Sequence, residues 1–229
     1  AGAQLSTQNP LNSPHPTLPA KSSQLSAFCI ISTAVTVLEV IQRSADFLAK
    51  KGVDSPRLQI ELLLAHVLNM PRLNLYVNFE RPLASSEIDR VRALVKRRAN
   101  REPLQHIIGS VSFCGLELAV TTDVLIPRPE TELLADRAAQ FLKAVELRAG
   151  APVSVLDFGT GTGCLAIYLA RQSPTTRVLA LDVSPAALQV ARDNAARHGV
   201  AGQIQFLQGD GLDALPEDAR FDLIVSNPP

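Results

Sequence analysis

The chain has 229 residues, enough for one large domain or for a small domain joined to a medium one. Hydrophobic residues make up 46% and charged residues 19%, a composition typical of a soluble globular protein. Lys plus Arg and Asp plus Glu both number 22, so no overall charge attracts nucleic acid or an anionic membrane surface.

The cysteines and the apolar segments bear on the cellular compartment. Cys29, Cys114 and Cys164 lie far apart and form no C-x-x-C pair, so we expect neither a zinc site nor a disulfide framework. The apolar run over residues 27–41 is interrupted by polar residues and is too short to span a bilayer. A cytoplasmic protein without a membrane anchor is therefore expected, with a signal peptide as the alternative.

The first part of the chain has the composition of a disordered segment. Residues 1–26 are rich in Ser, Thr, Pro, Asn and Gln, and Lys21 is the only fixed charge among them. Such a segment buries too little apolar surface to offset its ordering entropy. We predict that residues 1–35 form a disordered tail.

Four helical segments are predicted next. Thr36 and Glu39 have the form of a capping box, and Pro56 marks the start of the second helix. The basic stretch at residues 96–98 is explained by a solvated helix face, with an acidic or RNA-rich partner as the alternative. We predict a small helical domain over residues 36–102. The core-facing residues predicted for its second helix are Leu58, Ile60, Leu62, Leu63, Ala65, Val67 and Leu68.

The hydrophobic period changes after residue 103. Alternation around Gly115 predicts a β-hairpin within residues 103–122, and a helix follows to about Arg148. Strands and helices then alternate, which predicts a parallel, doubly wound sheet. The fold class expected is α/β, with a helical domain followed by a Rossmann-like sheet domain over residues 103–229. The four predicted strands of the sheet are VSVLDF, RVLALD, QIQFLQ and FDLIVS.

A glycine-rich loop follows the first of these strands. Glycines let the backbone bend tightly and approach a ligand, which open α/β sheets bind at the carboxyl ends of their strands. The loop reads G-x-G-x-G, whereas the dinucleotide fingerprint is G-x-G-x-x-G. Asp182 ends the second strand, where a carboxylate can accept hydrogen bonds from the ribose of either NAD or S-adenosylmethionine. The loop residues are Gly159, Thr160, Gly161, Thr162 and Gly163.

Two residues after the third strand are also candidates for cofactor binding. The side chain of Asp210 could accept a hydrogen bond from an adenine amine, and Gly211 would let the ring lie close. A solvated turn is the alternative interpretation of this pair.

Asn227, Pro228 and Pro229 follow the fourth strand. Consecutive prolines have no N–H and present their carbonyls in a rigid arc. The Asn227 oxygen and the Pro228 carbonyl can accept the two hydrogens of a planar –NH₂ group, which orients the nitrogen lone pair toward a methyl donor. We predict that Asn227 and Pro228 are catalytic and that all three residues bind the substrate. No metal is required, because a sulfonium methyl group is already activated.

These motifs together resemble the class I methyltransferases that act on planar amine nitrogens and carry Asn/Asp-Pro-Pro-Tyr/Phe. Residues 36–229 are similar to the peptide chain release factor glutamine methyltransferases (HemK/PrmC family), with residues 103–109 and 126–132 matching in order. The resemblance implies S-adenosyl-L-methionine as cofactor, bound by the glycine loop and Asp182. It also implies methylation of the glutamine amide in the Gly-Gly-Gln motif of release factors. The helical domain would bind the release factor.

Three alternatives remain at this point. A DNA or RNA adenine methyltransferase would need a basic face and stacking aromatics, but aromatic residues make up only 4% of the chain. A ribosomal protein glutamine methyltransferase and a non-catalytic cofactor-binding module are the others. We expect a monomer that does not bind nucleic acid directly.

The family pattern continues with an aromatic residue and further strands after the Asn-Pro-Pro motif. We therefore expect residues 1–229 alone to be an incomplete, inactive and aggregation-prone piece of an active enzyme, because an uncovered strand edge favours association.

Overall fold

A computed structural model of the chain describes residues 1–2, 35–149 and 152–227. The predicted tail lies almost entirely outside the described residues, and so do Pro228 and Pro229. In the described ranges, no helix is long and apolar enough to cross a membrane.

The first part of the described chain is helical. The capping box predicted for the first helix is present, because the Thr36 hydroxyl accepts from Glu39 N–H and the Glu39 carboxylate accepts from Thr36 N–H. The helices enclose a core that continues to Ile107, in a short helix that the sequence did not predict. The helices are α1 (Val37–Lys50), α2 (Pro56–Leu68), α3 (Ser85–Ala99) and α4 (Leu104–Ile108), with a 3₁₀ turn at Arg72–Leu75.

The buried side of α2 differs from the expectation. Leu58 was predicted to face the core but is 44% exposed, and Leu62 and Leu68 are only partly buried. Glu61, in contrast, is 2% exposed. Apolar residues lie on nearly every side of α2, so periodicity alone cannot identify the buried side.

The predicted β-hairpin is confirmed. Strands β1 (Ser110–Phe113) and β2 (Leu116–Ala119) pair antiparallel around the two-residue turn Cys114-Gly115. Both turn residues have positive φ, 46° and 76°, as two-residue hairpin turns require. The helix α5 (Pro129–Ala149) follows.

The second part contains a parallel four-stranded sheet in the order β5-β4-β3-β6. The chain therefore moves outward from β3 to β5 and returns to the other side of β3, which creates a switch point between β3 and β6. All four strands start within two residues of their predicted positions. The strands are β3 (Ser154–Phe158), β4 (Arg177–Asp182), β5 (Ile204–Gln208) and β6 (Leu223–Ser226), and the helices between them are α6 (Cys164–Gln172) and α7 (Pro185–Arg197).

One face of the sheet carries the core. Helices α5, α6 and α7 pack on the side of the sheet formed by Val155, Val178, Ile204 and Val225. Strand β6 is at the edge of the described sheet, and Ile224 on the opposite face is 58% exposed. This arrangement leaves the carboxyl ends of the four strands open beside the glycine loop.

Candidate active site

A cavity of about 320 Å³ lies at the carboxyl ends of the strands, beside the switch point. Its volume and its mixture of apolar and polar walls are typical of small-molecule sites. Its walls include two glycines of the loop, Gly159 and Gly161, and residues at the carboxyl ends of β4, β5 and β6. The lining residues are Asp123, Val124, Leu125, Phe158, Gly159, Gly161, Leu181, Asp182, Val183, Ser184, Ala187, Gly209, Asp210, Gly211 and Asn227.

The glycine loop is tied to the end of the neighbouring strand. The backbone N–H groups of Gly159 and Thr160 both donate to the Leu181 carbonyl, at 2.9 and 3.0 Å. The Gly163 N–H donates to the Thr160 carbonyl at 2.8 Å and closes the loop. The loop is thus held rigidly at the cavity wall.

Gly163 caps the N-terminus of α6 in a left-handed conformation, with φ of 79°. A Cβ at this position would lie 3.1 Å from the Ala191 Cβ and 3.1 Å from the Ile167 Cδ1. Only glycine therefore suits both the backbone conformation and the close approach of α6 to α7. Gly163 is not among the residues that line the cavity, so its contribution to the site is to the packing of the loop.

Asp157 supports the loop from below. Its Oδ2 accepts hydrogen bonds from the Thr160 hydroxyl at 2.6 Å and from the Ala166 N–H at 3.1 Å. The carboxylate thereby caps the first turn of α6, which the side-chain-free Gly163 cannot do. Burial raises the pKa of Asp157 to about 6, although these two hydrogen bonds oppose the shift.

Asp182 presents its carboxylate at the cavity wall. Its Oδ2 accepts from the Gly161 N–H at 2.8 Å, and its Oδ1 accepts from the Ser184 N–H at 2.9 Å. An ionised carboxylate has about four acceptor positions, so each oxygen retains capacity for a ligand hydroxyl. The two backbone bonds fix the carboxylate plane relative to the loop.

Asn227 joins the same cavity from the end of β6. Its Nδ2 donates to the hydroxyl of Thr131 at 2.6 Å, and Thr131 is 3% exposed in the first turn of α5. A second, smaller cavity of about 40 Å³ adjoins the first and is shared by Thr131, Thr160, Thr162 and Asn227. The strand end is thus anchored to a helix 96 residues earlier in the sequence.

The chain matches two family models, the PrmC N-terminal domain over residues 39–109 and the methyltransferase small domain over residues 133–229. It is 47% identical to a release factor glutamine methyltransferase of Chlorobaculum tepidum, over 85% of this chain and 67% of the relative. The chain belongs to the release factor glutamine methyltransferase family. Proteins of the same name from Geobacter sulfurreducens and Rhodopirellula baltica are 44% and 38% identical, over 85% and 86% of this chain and 65% and 66% of theirs.

Membership of this family confirms the resemblance found in the sequence and S-adenosylmethionine as the cofactor of the family. The parallel sheet with helices between its strands confirms the α/β fold class. The chain spans about two thirds of the length of the curated relatives it matches. The boundaries of the helical and sheet domains, at residues 36–102 and 103–229, stay predictions.

In this family member, the residues predicted for the site fall into three groups. Gly159, Gly161, Asp182, Asp210, Gly211 and Asn227 line the larger cavity, Thr160 and Thr162 line the smaller one, and Gly163 lines neither. Pro228 and Pro229 lie outside the described residues. Asp157 and Thr131 were not predicted as site residues, although an acidic residue in a buried strand, one residue before a glycine loop, is a recognisable feature.

Proposed function

We propose that this protein transfers a methyl group from S-adenosylmethionine to the side-chain amide nitrogen of the glutamine in the Gly-Gly-Gln motif of release factors. The observation that supports this most directly is the position of Asn227 on the wall of the cavity that the glycine loop and Asp182 also form. One space thus combines a cofactor cradle with an amide side chain suited to a planar –NH₂ group.

The cavity residues fit S-adenosylmethionine. Gly161 lines the cavity with φ of 53°, where a Cβ would meet no protein atom within 4 Å and would project into free space. Asp182 offers a carboxylate for the ribose hydroxyls, and Asp210 offers one for the adenine amine. Phe158 and Val183 supply apolar walls for the ring. When bound, S-adenosylmethionine supplies an activated methyl group.

The chain itself acts by positioning. Asn227 Oδ1 accepts one hydrogen of the substrate amide, and the Pro228 carbonyl accepts the other. This arrangement directs the nitrogen lone pair toward the methyl donor and stabilises positive charge that develops on the nitrogen. Pro228 and Pro229 have no backbone N–H, so neither competes with the substrate as a donor.

The named relatives favour a release factor over ribosomal protein and adenine as the methyl acceptor. We infer that the helical part binds the release factor, that the enzyme acts as a monomer in the cytoplasm, and that it does not bind nucleic acid directly. These properties extend the proposal and each can be tested separately.

The experiment uses the full-length protein with labelled S-adenosylmethionine and a release factor, beside a release factor whose Gly-Gly-Gln glutamine is alanine. We expect label on the first substrate and not on the second, and no label on either with the Asn227→Ala enzyme. Transfer to a ribosomal protein or to adenine-containing DNA, with none to the release factor, would refute the proposed substrate.

A further inference from the structure

The only hydrogen bond that the structure gives to the Asn227 side chain within residues 35–149 and 152–227 is the one to Thr131. The Nδ2 atom lies 2.6 Å from the Thr131 Oγ1, so one hydrogen of the amide is committed to that hydroxyl. In the same part of the chain, nothing donates a hydrogen bond to Asn227 Oδ1. Among the described residues, the nitrogen end of this amide is therefore hydrogen-bonded, whereas the oxygen end has no donor.

That difference has chemical consequences, because the two ends of an amide have nearly the same shape and opposite hydrogen-bonding character. A substrate amide nitrogen carries hydrogens and requires an acceptor. An Asn227 side chain turned by 180° would present Nδ2 instead, and donor would face donor. Productive binding therefore requires that the Nδ2 end be held away from the substrate.

The sequence also removes the usual local partner of an asparagine oxygen. Asparagine commonly accepts a hydrogen bond from the backbone N–H two residues later, as in Asx-turns. Residues 228 and 229 are both proline and have no N–H. The Asn227 oxygen therefore has no local backbone donor, and its amide plane must be fixed by a contact from elsewhere in the fold.

Thr131 is placed to provide that contact. It lies in the first turn of α5, is 3% exposed, and its own N–H donates to the Arg128 carbonyl at 3.0 Å. The neighbouring Glu132 accepts a hydrogen bond from the Cys114 N–H at 3.0 Å, which fixes the same turn to the hairpin. The hydroxyl therefore occupies a well-defined position.

We propose that Thr131 is a positioning residue, whose hydroxyl binds one end of the Asn227 amide and fixes the amide plane so that Oδ1 faces the amide nitrogen of the substrate. A hydroxyl can donate as well as accept, so the N–H groups of the substrate select the orientation with Oδ1 toward them. The inference rests on the proposed function for its substrate. It goes beyond that function by assigning a role to a buried residue that does not line the larger cavity.

Two substitutions separate this role from a merely structural one. Thr131→Val keeps the volume of the buried side chain but removes the hydroxyl, whereas Thr131→Ser keeps the hydroxyl but removes a buried methyl group. A structural role predicts that the valine variant is the better enzyme, since packing is preserved. The positioning role predicts that the serine variant is the better enzyme.

We would measure kcat, the KM for a release factor and the melting temperature of full-length wild type, Thr131→Val, Thr131→Ser and Thr176→Val. For Thr131→Val we expect kcat to fall roughly tenfold to a hundredfold with a much smaller change in KM, because orientation matters most in the transition state. Thr131→Ser should remain within about threefold of wild type in kcat. Thr176→Val, at a second fully buried threonine that lines neither cavity, is the control and should leave kcat unchanged.

A Thr131→Val enzyme with a kcat equal to or above that of Thr131→Ser would overturn the inference, as would kcat losses that simply follow the melting temperatures. Side-chain ¹⁵N spectra supply a readout that needs no substrate. The Asn227 Nδ2 hydrogens should exchange faster with solvent in Thr131→Val than in Thr131→Ser, and unchanged exchange would refute the contact. A wild type that labels no glutamine would refute the proposed function while the exchange comparison still decides on Thr131.

Discussion

The side chain of Asn194 holds the backbone of Ala119 with both ends of its amide. Asn194 Nδ2 donates to the Ala119 carbonyl at 3.0 Å, and Asn194 Oδ1 accepts from the Ala119 N–H at 2.8 Å. The same Nδ2 donates to the Thr162 carbonyl at 3.0 Å, within the glycine loop. One fully buried side chain on α7 therefore connects the hairpin to the candidate cofactor site.

Replacing Asn194 with aspartate tests this connection. An ionised carboxylate has no hydrogen to donate, so it would face the Ala119 and Thr162 carbonyls with repulsion in a buried position. We expect Asn194→Asp to lose roughly 3 kcal/mol or more of unfolding free energy at pH 7. Burial should raise the pKa of the new carboxyl, so part of the loss should be recovered as the pH falls toward 4. Urea unfolding at several pH values measures both effects.

The matched control for this change is Asn74→Asp, at a solvent-exposed asparagine of the helical part. We expect a change within about 0.5 kcal/mol, as for most surface substitutions. Equal stability of the two variants at pH 7 would show that the amide hydrogens of Asn194 contribute nothing to the native state.

The sequence allowed the sheet to be predicted nearly strand by strand, because buried parallel strands are short apolar runs and the helices between them are amphipathic. The same local patterns could not identify Asn194 or Thr131. Their partners lie 75 and 96 residues away, and the need for a buried amide or hydroxyl arises only once the elements have packed. The prediction that Leu58 faces the core was wrong for a related reason, because its helix is apolar on nearly every side.

Glu61 is another buried polar residue that the local sequence pattern did not reveal. Its carboxylate accepts hydrogen bonds from Arg72 at 2.7 Å, from the Tyr76 hydroxyl at 3.0 Å and from Arg57 at 3.1 Å. Burial by itself raises the pKa of Glu61, but the hydrogen bonds from these three residues outweigh it and hold the pKa below its usual value. The ionised form is therefore the one that stabilises the fold.

We expect Glu61→Gln to lose about 1–3 kcal/mol of unfolding free energy at pH 7, since the hydrogen bonds to a charged acceptor are weakened. Because the folded pKa is lowered, this stabilisation is present above the unfolded pKa of about 4.3 and is lost as the pH falls through the folded value. The difference between wild type and variant should therefore shrink in acid. The exposed Glu80→Gln is the control, and a constant difference across pH would contradict the role of the charge.

Gly209 follows β5 and lines the cavity, and its N–H donates to the Asp182 carbonyl at 3.1 Å. A Cβ at this position would overlap the Ala214 Cβ. We expect Gly209→Ala to destabilise the fold by roughly 2 kcal/mol or more, because the backbone must shift to relieve the overlap. Gly202→Ala is the control, since its Cβ would meet nothing within 4 Å. Thermal unfolding of both variants measures the effect, and equal melting temperatures would refute the overlap.

For the buried carboxyl of Asp157, we predict a pH dependence of stability opposite to that of Glu61. Its pKa is raised by burial to about 6, whereas an aspartate in the unfolded chain has a pKa near 3.9. The native protein therefore binds more protons than the unfolded chain between these values. By linkage, the stability contributed by Asp157 is fully present below pH 4 and is lost as the pH rises toward 6.

An asparagine at position 157 can accept the same two hydrogen bonds through its oxygen and cannot ionise. We expect the unfolding free energy of Asp157→Asn, relative to wild type, to rise by on the order of 3 kcal/mol between pH 4 and pH 7. Urea unfolding of both proteins at four pH values gives this difference directly, because the contributions of other carboxylates cancel. The exposed Asp218→Asn should show no such rise. If the difference in unfolding free energy between Asp157→Asn and wild type did not change with pH, the carboxyl under the glycine loop would be ionised at no cost. The loop would then be open to water.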